Sequence, residues 1–219
     1  MQELEQRSGE WLQAKLGKVG CSRLGDVLAV SKRTGEPLQA RIDYMMELLC
    51  ERLTGVNADH FKSAAMEWGV EYEPQARTEY EARKGVLVDE HGGQEHPSIA
   101  GWWCSPDGLV GDDGGIEIKC PNTATHLDTL INGTIKEQYI YQMTGAVLIY
   151  DRAWWDFVSY DPRLPDELGF YCRRFTRDEL PIQLVKDGVI KFLDDLAQLK
   201  NRVYSVVDGN KSINKQGAK

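Results

Sequence analysis

The sequence lacks the cysteine and histidine spacings that hold zinc ions or iron–sulfur clusters. Its five cysteines include no CxxC pair, and its four histidines follow no metal-site spacing. These patterns argue against a zinc knuckle or an iron–sulfur cluster, and an odd number of cysteines is typical of a reducing compartment. Any metal ion in this protein is therefore expected to be held by carboxylates.

Long apolar runs are also absent. No stretch has the ~20 apolar residues of a transmembrane helix, and the opening residues MQELEQRSGEWLQAKLG lack the apolar centre of a signal peptide. We therefore expect a cytoplasmic protein without membrane contact. No repeat or linker divides the chain, which predicts one domain over residues 1–219, with a core at about 9–204 and a loosely held polar tail at about 207–219.

An excess of positive charge is the third absence. The chain has 26 lysines and arginines against 34 aspartates and glutamates, for a net charge of −8. This balance argues against broad electrostatic binding of nucleic acid. Cations gathered on one face, or around the bore of an oligomer, can still bind phosphate, so the charge lowers the expectation of DNA binding without excluding it.

Hydrophobic periodicity predicts the α/β (α+β) class, with a central mixed β-sheet flanked by helices. Helices are predicted near residues 9–15, 23–29, 42–55, 62–83, 126–130, 136–149 and 178–203. Strands are predicted at 85–90, 98–105, 107–112 and 115–120, which read as a meander, and at 153–161 and 170–176. Pro74 predicts a kink or a break in its helix, and Gly85 is the expected C-cap.

The segment CSPDGLVGDDGGIEIKCP, Cys104 to Pro121, carries the candidate chemistry. Asp107 begins one predicted strand and Glu117 lies on the next, with DDGG as the turn between them. This hairpin can bring both carboxylates to one end of the sheet. Two carboxylates held close together either raise a pKa or bind a divalent cation, and oxygen ligands favour Mg²⁺ or Mn²⁺.

Lys119 follows Glu117 by two residues, so both side chains lie on the same face of the strand. Here a lysine can orient a water molecule or neutralise charge on a phosphate. Ile118 points into the core, but its backbone carbonyl can still reach a metal ion. The combination is expected of metal-dependent phosphodiester hydrolysis. Because ExK is a common tripeptide, the motif taken alone favours a solvated hairpin with a salt bridge over a nuclease.

The same segment, SPDGLV…GGIEIKCP, resembles the lambda-type exonuclease family, the phage alkaline exonucleases with a YqaJ-like recombinase domain. This family belongs to the restriction-endonuclease-like superfamily, whose motif is PD-(D/E)xK. Three further segments resemble the family in the expected order: WLQAKLGKVGCSRLGDVL, MEWGVEYEPQAR and YIYQMTGAVLIY. The resemblance implies a restriction-endonuclease-like core and covers most of the predicted domain.

Roles for the central residues follow from this resemblance. It implies that Asp107, Glu117 and the Ile118 carbonyl hold Mg²⁺, with a second ion expected and Mn²⁺ as a substitute. It also implies that Lys119 activates or orients the attacking water.

Two helix residues are implied as well: Glu73 and Gln142, both near the metal ions and the water. From the residues alone, Glu73 could instead pair with Arg77 one helical turn on, and Gln142 could be an ordinary surface amide.

The N-terminal segment is implied to form a pocket for a 5′-phosphate. Ser22 lies at the start of a predicted helix, where its hydroxyl and nearby backbone N–H groups can bind phosphate. A plain N-cap serine explains this position equally well. Lys15 stands where relatives usually have arginine, so it lacks the bidentate contact that a guanidinium makes. Lys32 and Arg33 are further candidates, with a solvated loop as the alternative.

The resemblance implies a Mg²⁺-dependent exonuclease that digests the 5′ strand of linear duplex DNA to mononucleotides and leaves 3′ single-stranded tails. It also implies a ring-shaped homotrimer around DNA ends, a single-strand annealing protein as partner, and a phage or prophage origin in a bacterial cytoplasm. Two alternatives stay open. One is an endonuclease or junction nuclease of the same fold, and the other is a non-catalytic module that binds DNA ends.

Overall fold

The structure, a computed structural model, describes residues 5–57 and 63–216 of the chain. The helices are α1 (Gly9–Lys15), α2 (Leu24–Val27), α3 (Gln39–Thr54), α4 (Ala64–Lys84), α5 (Thr123–Asn132), α6 (Glu137–Tyr150) and α7 (Ile182–Gln216). The strands are β1 (Val19–Gly20), β2 (Gln94–Glu95), β3 (Trp102–Cys104), β4 (Gly108–Val110), β5 (Gly114–Lys119), β6 (Trp154–Tyr160) and β7 (Phe170–Thr176). Short 3₁₀ turns cover Cys21–Arg23 and Arg177–Glu179.

A four-stranded mixed sheet, in the order β4-β5-β6-β7, is the centre of the molecule. Strands β4 and β5 pair antiparallel, β5 and β6 parallel, and β6 and β7 antiparallel. A parallel pair needs a crossover connection, and α5 and α6 supply it between β5 and β6. The predicted α/β class, a mixed sheet flanked by helices, is confirmed.

The predicted meander is wrong in detail, because β3 belongs to a second sheet. In that sheet β3 pairs parallel with β1 and antiparallel with β2, two strands too short to leave a periodic signal. The predicted strand at 85–90 is also not formed. Only Asp89 bridges to Leu109, while the backbone N–H of Val88 donates to the Glu81 carboxylate instead of to a strand.

Most helices differ from their predicted limits; α5, for example, is longer than the predicted 126–130 at both ends. α4 continues through Pro74, so the predicted break is not observed, and it ends as expected at Gly85 in the left-handed conformation. The helix predicted at 23–29 is a 3₁₀ turn followed by the four-residue α2. α7 extends to Gln216, into the segment predicted as a loosely held tail. None of the helices in the described ranges is long and apolar enough to cross a membrane.

Successive side chains of β5 point to opposite sides of the sheet, and each side has its own apolar cluster. Ile116 and Ile118 pack with Tyr80 of α4 in one cluster. The other cluster contains Phe157 and Met143, from β6 and α6. Glu117 alternates with these isoleucines and therefore points to the side of the sheet opposite α4. Glu117 and Lys119 thus lie on a face of the sheet that α6 also covers, with Lys119 beside Tyr139.

Gly145 allows α6 to approach the N-terminal segment closely. A Cβ added there would lie 2.6 Å from the Cys21 Sγ and 2.6 Å from the Leu24 Cδ1. Both neighbours are buried, so neither can move away without disturbing the core. The absence of a side chain at position 145 therefore sets the place of the 3₁₀ turn that carries Ser22.

We predict that Gly145→Ala destabilises the protein by about 1–3 kcal/mol, because the new methyl group overpacks this contact. Gly69→Ala, in α4, is the matched control, since nothing lies within 4 Å of its added Cβ. Alanine is the better helix former there, by about 0.5–1 kcal/mol. Urea unfolding measures both variants. Equal stability of the two would contradict the close approach at Gly145.

Candidate active site

The Asp107 carboxylate lies where the hydrogen-bond ladder between β4 and β5 ends. Gly108 pairs with Ile116, so in antiparallel register Asp107 stands opposite Glu117. Asp107 Oδ2 accepts a hydrogen bond from the Ile118 backbone N–H at 2.6 Å, in place of a strand partner. The N–H and C=O of one strand residue point to the same side, so the Ile118 carbonyl also points toward Asp107. The structure thus brings together the three predicted oxygen donors.

Glu117 is buried, with 2% of its side chain exposed, and its Oε1 contacts the Lys119 ammonium. Lys119 is thus the cation that partners this buried oxygen. Burial, and secondarily the nearby Asp107 carboxylate, raise the pKa of Glu117 to about 8, with Lys119 acting in the opposite direction.

Lys119 is the cation nearest to these carboxylates. Burial lowers its pKa, but the carboxylates of Glu117 and Asp107 outweigh burial, and the net pKa lies above its ordinary value. Lys119 is therefore an ammonium donor rather than a base in this state. A quarter of its side chain is exposed, and Nζ lies 5.1 Å from the centre of the Tyr139 ring on α6.

Glu73 reaches the same place from α4. Its Oε1 accepts from Arg77 at 2.9 Å, which is the helical pair expected as the alternative, and its Oε2 accepts from Arg7 at 3.1 Å. Burial first, and then the Asp107 carboxylate, raise the pKa of Glu73. Glu73 is therefore both an ion-pair partner and a neighbour of the carboxylate pair.

A cleft of about 870 Å³ contains these groups. Ser22, Glu73, Asp107, Ile118 and Lys119 all lie in its wall. Its lining has four basic side chains against two acidic ones, and the basic residues are Arg7, Lys119, Lys136 and Arg163. The cleft is therefore locally basic in a chain of net charge −8.

Ser22 connects this cleft to a neighbouring cavity of about 430 Å³, whose wall also contains Lys15. Ser22 is exposed within the 3₁₀ turn and caps no helix, so the alternative of an N-cap serine is wrong. The Lys15 ammonium lies 4.0 Å from the centre of the Trp11 ring, and burial lowers its pKa, with Glu51 and Glu47 opposing that effect.

The remaining predicted residues lie farther out. Lys32 and Arg33 are exposed in the turn between Val30 and Pro37, and neither is among the described residues that line the cleft. A DNA contact by them stays a prediction. Gln142 is half-buried on α6, one turn after Tyr139 and so on the same side of the helix.

The donor set fits a hard divalent cation. Asp107, Glu117 and the Ile118 carbonyl supply only oxygen, and the buried Glu117 Oε1 is partnered by the Lys119 ammonium. Across the described ranges, no three His, Cys, Asp or Glu side chains form a ready cage for a metal ion. Two carboxylates and a carbonyl suit Mg²⁺, which keeps several water ligands, better than a cation that needs a full set of protein ligands.

Sequence reasoning missed three residues in the cleft. Arg163 stacks over the Trp68 ring at 4.4 Å and pairs with the buried Asp161 at 2.7 Å. In the sequence Arg163 is visible only as part of a charged turn after β6. Tertiary packing brings it next to α4, which carries Trp68. Arg7 and Lys136 carry no sequence signal, because each reaches the cleft through the packing of its own segment.

Comparison with known proteins agrees with this geometry. The family model for the YqaJ-like viral recombinase domain matches residues 10–152. The chain belongs to the YqaJ-like viral recombinase family. The matched range contains Ser22, Glu73, Asp107, Glu117 and Lys119, all of which line or adjoin the cleft.

Solved structures of this family's fold are similar throughout the chain. An alkaline exonuclease, LHK-Exo from Laribacter hongkongensis, is 44% identical with a TM-score of 0.84, over 92% of this chain and 99% of that one. The complex of LHK-Exo with dAMP gives the same values. A phage-related exonuclease from Haemophilus somnus 129PT, 20% identical, shares the fold with a TM-score of 0.67 over 85% of this chain and 96% of that one. No curated protein sequence matches the chain significantly.

The raised pKa of Glu117 predicts how stability changes with pH in the metal-free protein. The folded state holds this proton up to about pH 8, whereas an ordinary glutamate has a pKa of 4.5. The unfolded state therefore binds fewer protons between these values, so the free energy of unfolding falls as pH rises. This one group contributes at most about 1.4 kcal/mol per pH unit.

Glu117→Gln should reduce that fall, as measured by urea unfolding in EDTA from pH 5 to pH 9. The exposed Glu10→Gln is the control and should keep the wild-type dependence. Equal pH dependence in Glu117→Gln and the wild type would contradict the raised pKa of this buried carboxyl group.

Proposed function

We propose that this protein is a Mg²⁺-dependent exonuclease that digests the 5′ strand of linear duplex DNA and leaves 3′ single-stranded tails. Family membership and the 44% identity to an alkaline exonuclease support the nuclease role. The observation that carries the finer proposal is one basic cleft whose wall contains Asp107, Lys119 and Ser22, with Glu117 adjoining it through its contact with Lys119. A carboxylate centre beside a phosphate-binding serine suits a DNA end.

Each residue has a distinct task in this proposal. Asp107, Glu117 and the Ile118 carbonyl hold the metal ion. Bound Mg²⁺ would polarise the scissile phosphate, and a second ion, or Mn²⁺ in its place, would supply the same Lewis-acid chemistry at the leaving 3′ oxygen.

Lys119 stays protonated because of the adjacent carboxylates, so it donates to the attacking water or to a phosphate oxygen. Glu73 and Gln142 accept from that water and fix its direction toward phosphorus. Lys119 and Glu73 line the cleft, and Gln142 lies one helical turn from Tyr139, which also lines it.

Ser22 distinguishes cutting at an end from cutting inside a duplex. Its hydroxyl lies in the same cleft as Lys119, and the cavity that contains Lys15 opens beside it. We propose that this neighbouring cavity takes the terminal 5′-phosphate. For cleavage inside a duplex, the DNA strand would have to continue through the cavity that takes the terminal phosphate. The arrangement therefore favours an exonuclease over an endonuclease.

Digestion of linear and closed-circular duplex DNA with Mg²⁺ tests the function. We expect loss of the linear DNA only, and no loss in EDTA. Nicked circles would instead support an endonuclease, and intact linear DNA would support a module that only binds.

Lys119→Ala should lower cleavage by about 10²-fold or more, as for removal of a donor that stabilises transition-state charge. Duplex binding should persist, because the other cleft cations remain. Lys191→Ala, an exposed lysine on α7, is the control and should cleave normally. Unchanged cleavage by Lys119→Ala would remove that residue from the mechanism, and thermal unfolding checks that the variant is folded.

Removing the 5′-phosphate from the substrate should slow digestion by the wild type. Ser22→Ala should reduce this preference by about tenfold, consistent with a hydrogen bond of about 1.5–3 kcal/mol to a charged group. Rates on matched 5′-phosphate and 5′-hydroxyl duplexes give the measurement, with Ser205→Ala on α7 as the control. Equal rates of wild-type digestion on both ends would exclude the phosphate pocket.

We also propose a ring-shaped homotrimer, which would place the basic clefts around DNA and keep the acidic exterior in solvent. Light scattering should give three times the monomer mass, and a stable monomer would contradict the ring. A single-strand annealing protein is the proposed partner, because the 3′ tails are its substrate.

A further inference from the structure

Arg7 lies in the wall of the cleft but outside residues 10–152, the range that matches the family model. Its Nη2 contacts the Glu73 Oε2 at 3.1 Å, and 53% of its side chain is exposed. It also lines a second cavity of about 400 Å³ together with Arg77 and Asp107. Arg7 is therefore a cation beside the carboxylate centre that the family motifs do not contain.

The backbone at Arg7 has an unusual conformation. Its φ is +71°, and within residues 5–57 and 63–216 Asp151 is the only other non-glycine residue with positive φ. Residues with a Cβ disfavour this region, so the surrounding contacts must hold it. Gln6 supplies them, since its Nε2 donates to the His91 carbonyl at 2.9 Å and to the Pro106 carbonyl at 2.8 Å. The segment is thus fixed to the residue that precedes Asp107.

The two arginines that contact Glu73 differ in how their guanidinium groups are used. Arg77 is 11% exposed, and its three nitrogens contact Glu73, the Asp107 carbonyl and Glu90. Arg7 contacts Glu73 through Nη2 and leaves half of its side chain exposed to the cleft. A guanidinium has five N–H donors, and Arg7 engages Glu73 through one nitrogen. Arg7 can therefore exchange this contact for another anion, whereas Arg77 serves to hold Glu73.

We propose that Arg7 binds a phosphate of the DNA substrate, and that it gives up its contact with Glu73 to do so. This inference rests on the proposed function. A guanidinium binds phosphate through two parallel hydrogen bonds, which a single contact to one carboxylate oxygen does not match. When Arg7 moves to the phosphate, Glu73 keeps Arg77 on Oε1, and its Oε2 becomes available to accept from the attacking water.

Arg7→Gly separates substrate binding from a structural role. Glycine adopts a φ of +71° readily, so the variant should be at least as stable as the wild type. Its KM for linear duplex should rise by about tenfold, as for loss of a charge-assisted hydrogen bond. The slope of log KM against log salt should fall by about 0.9, the value for one phosphate contact, with little change in kcat. If Arg7 formed only a structural ion pair, Arg7→Gly would lower the free energy of unfolding and leave KM and the salt slope unchanged.

Arg7→Lys and Asp151→Gly complete the test. Lysine keeps the charge but not the bidentate contact, so it should retain the salt slope with a smaller rise in KM. Asp151→Gly replaces the other residue with positive φ and breaks an exposed pair with Arg177, so it should digest DNA as the wild type does.

The outcomes distinguish this inference from the function on which it rests. A wild type that digests linear DNA, with Arg7→Gly unchanged in KM and salt slope, would overturn the role of Arg7 alone. A wild type that leaves linear DNA intact would overturn the function itself. Fluorescence anisotropy of a 5′-phosphorylated duplex in EDTA then tests Arg7 without cleavage, and equal affinity of the wild type and Arg7→Gly would overturn its phosphate contact as well.

Discussion

The hydrogen bond from the Ile118 N–H to the Asp107 carboxylate is the contact on which the site depends. At the point where β4 stops pairing with β5, the Ile118 N–H has no backbone acceptor on β4. The Asp107 side chain accepts its hydrogen bond instead. This exchange holds one carboxylate beside Glu117 and turns the Ile118 carbonyl to the same side. If β4 were longer, its backbone would accept the hydrogen bond of the Ile118 N–H. The Asp107 side chain would then lose the contact that holds it in position.

Burial and charge act together around this contact. Glu117 lies under a covering helix and contacts the Lys119 ammonium, and Lys119 is kept protonated by the carboxylates beside it. An acidic chain would repel a polyanion over most of its surface, but the basic residues of the cleft reverse the sign locally. The same low exposure that makes Glu117 costly to ionise strengthens its attraction for a cation.

The central motif was predictable from sequence because strand alternation fixes the faces of neighbouring residues. Glu117 and Lys119 share a face, and a tight turn joins the two strands, as predicted. The turn is formed by residues 111–113 and not by DDGG, because Gly114 and Gly115 already belong to β5. The second sheet was not predictable, since β1 and β2 have two residues each and leave no periodic pattern. Arg7 and Arg163 were missed for a related reason, because chain contacts distant in sequence bring them to the cleft.

Pro74 follows Glu73 inside α4 and has a consequence for the cleft wall. Proline has no N–H, so the Val70 carbonyl, four residues earlier, has no donor at the position that an α-helix normally provides. Val70 itself lines the cleft. The wall there thus presents a main-chain acceptor for solvent, and because this oxygen belongs to the backbone, no change of the residue 70 side chain can remove it.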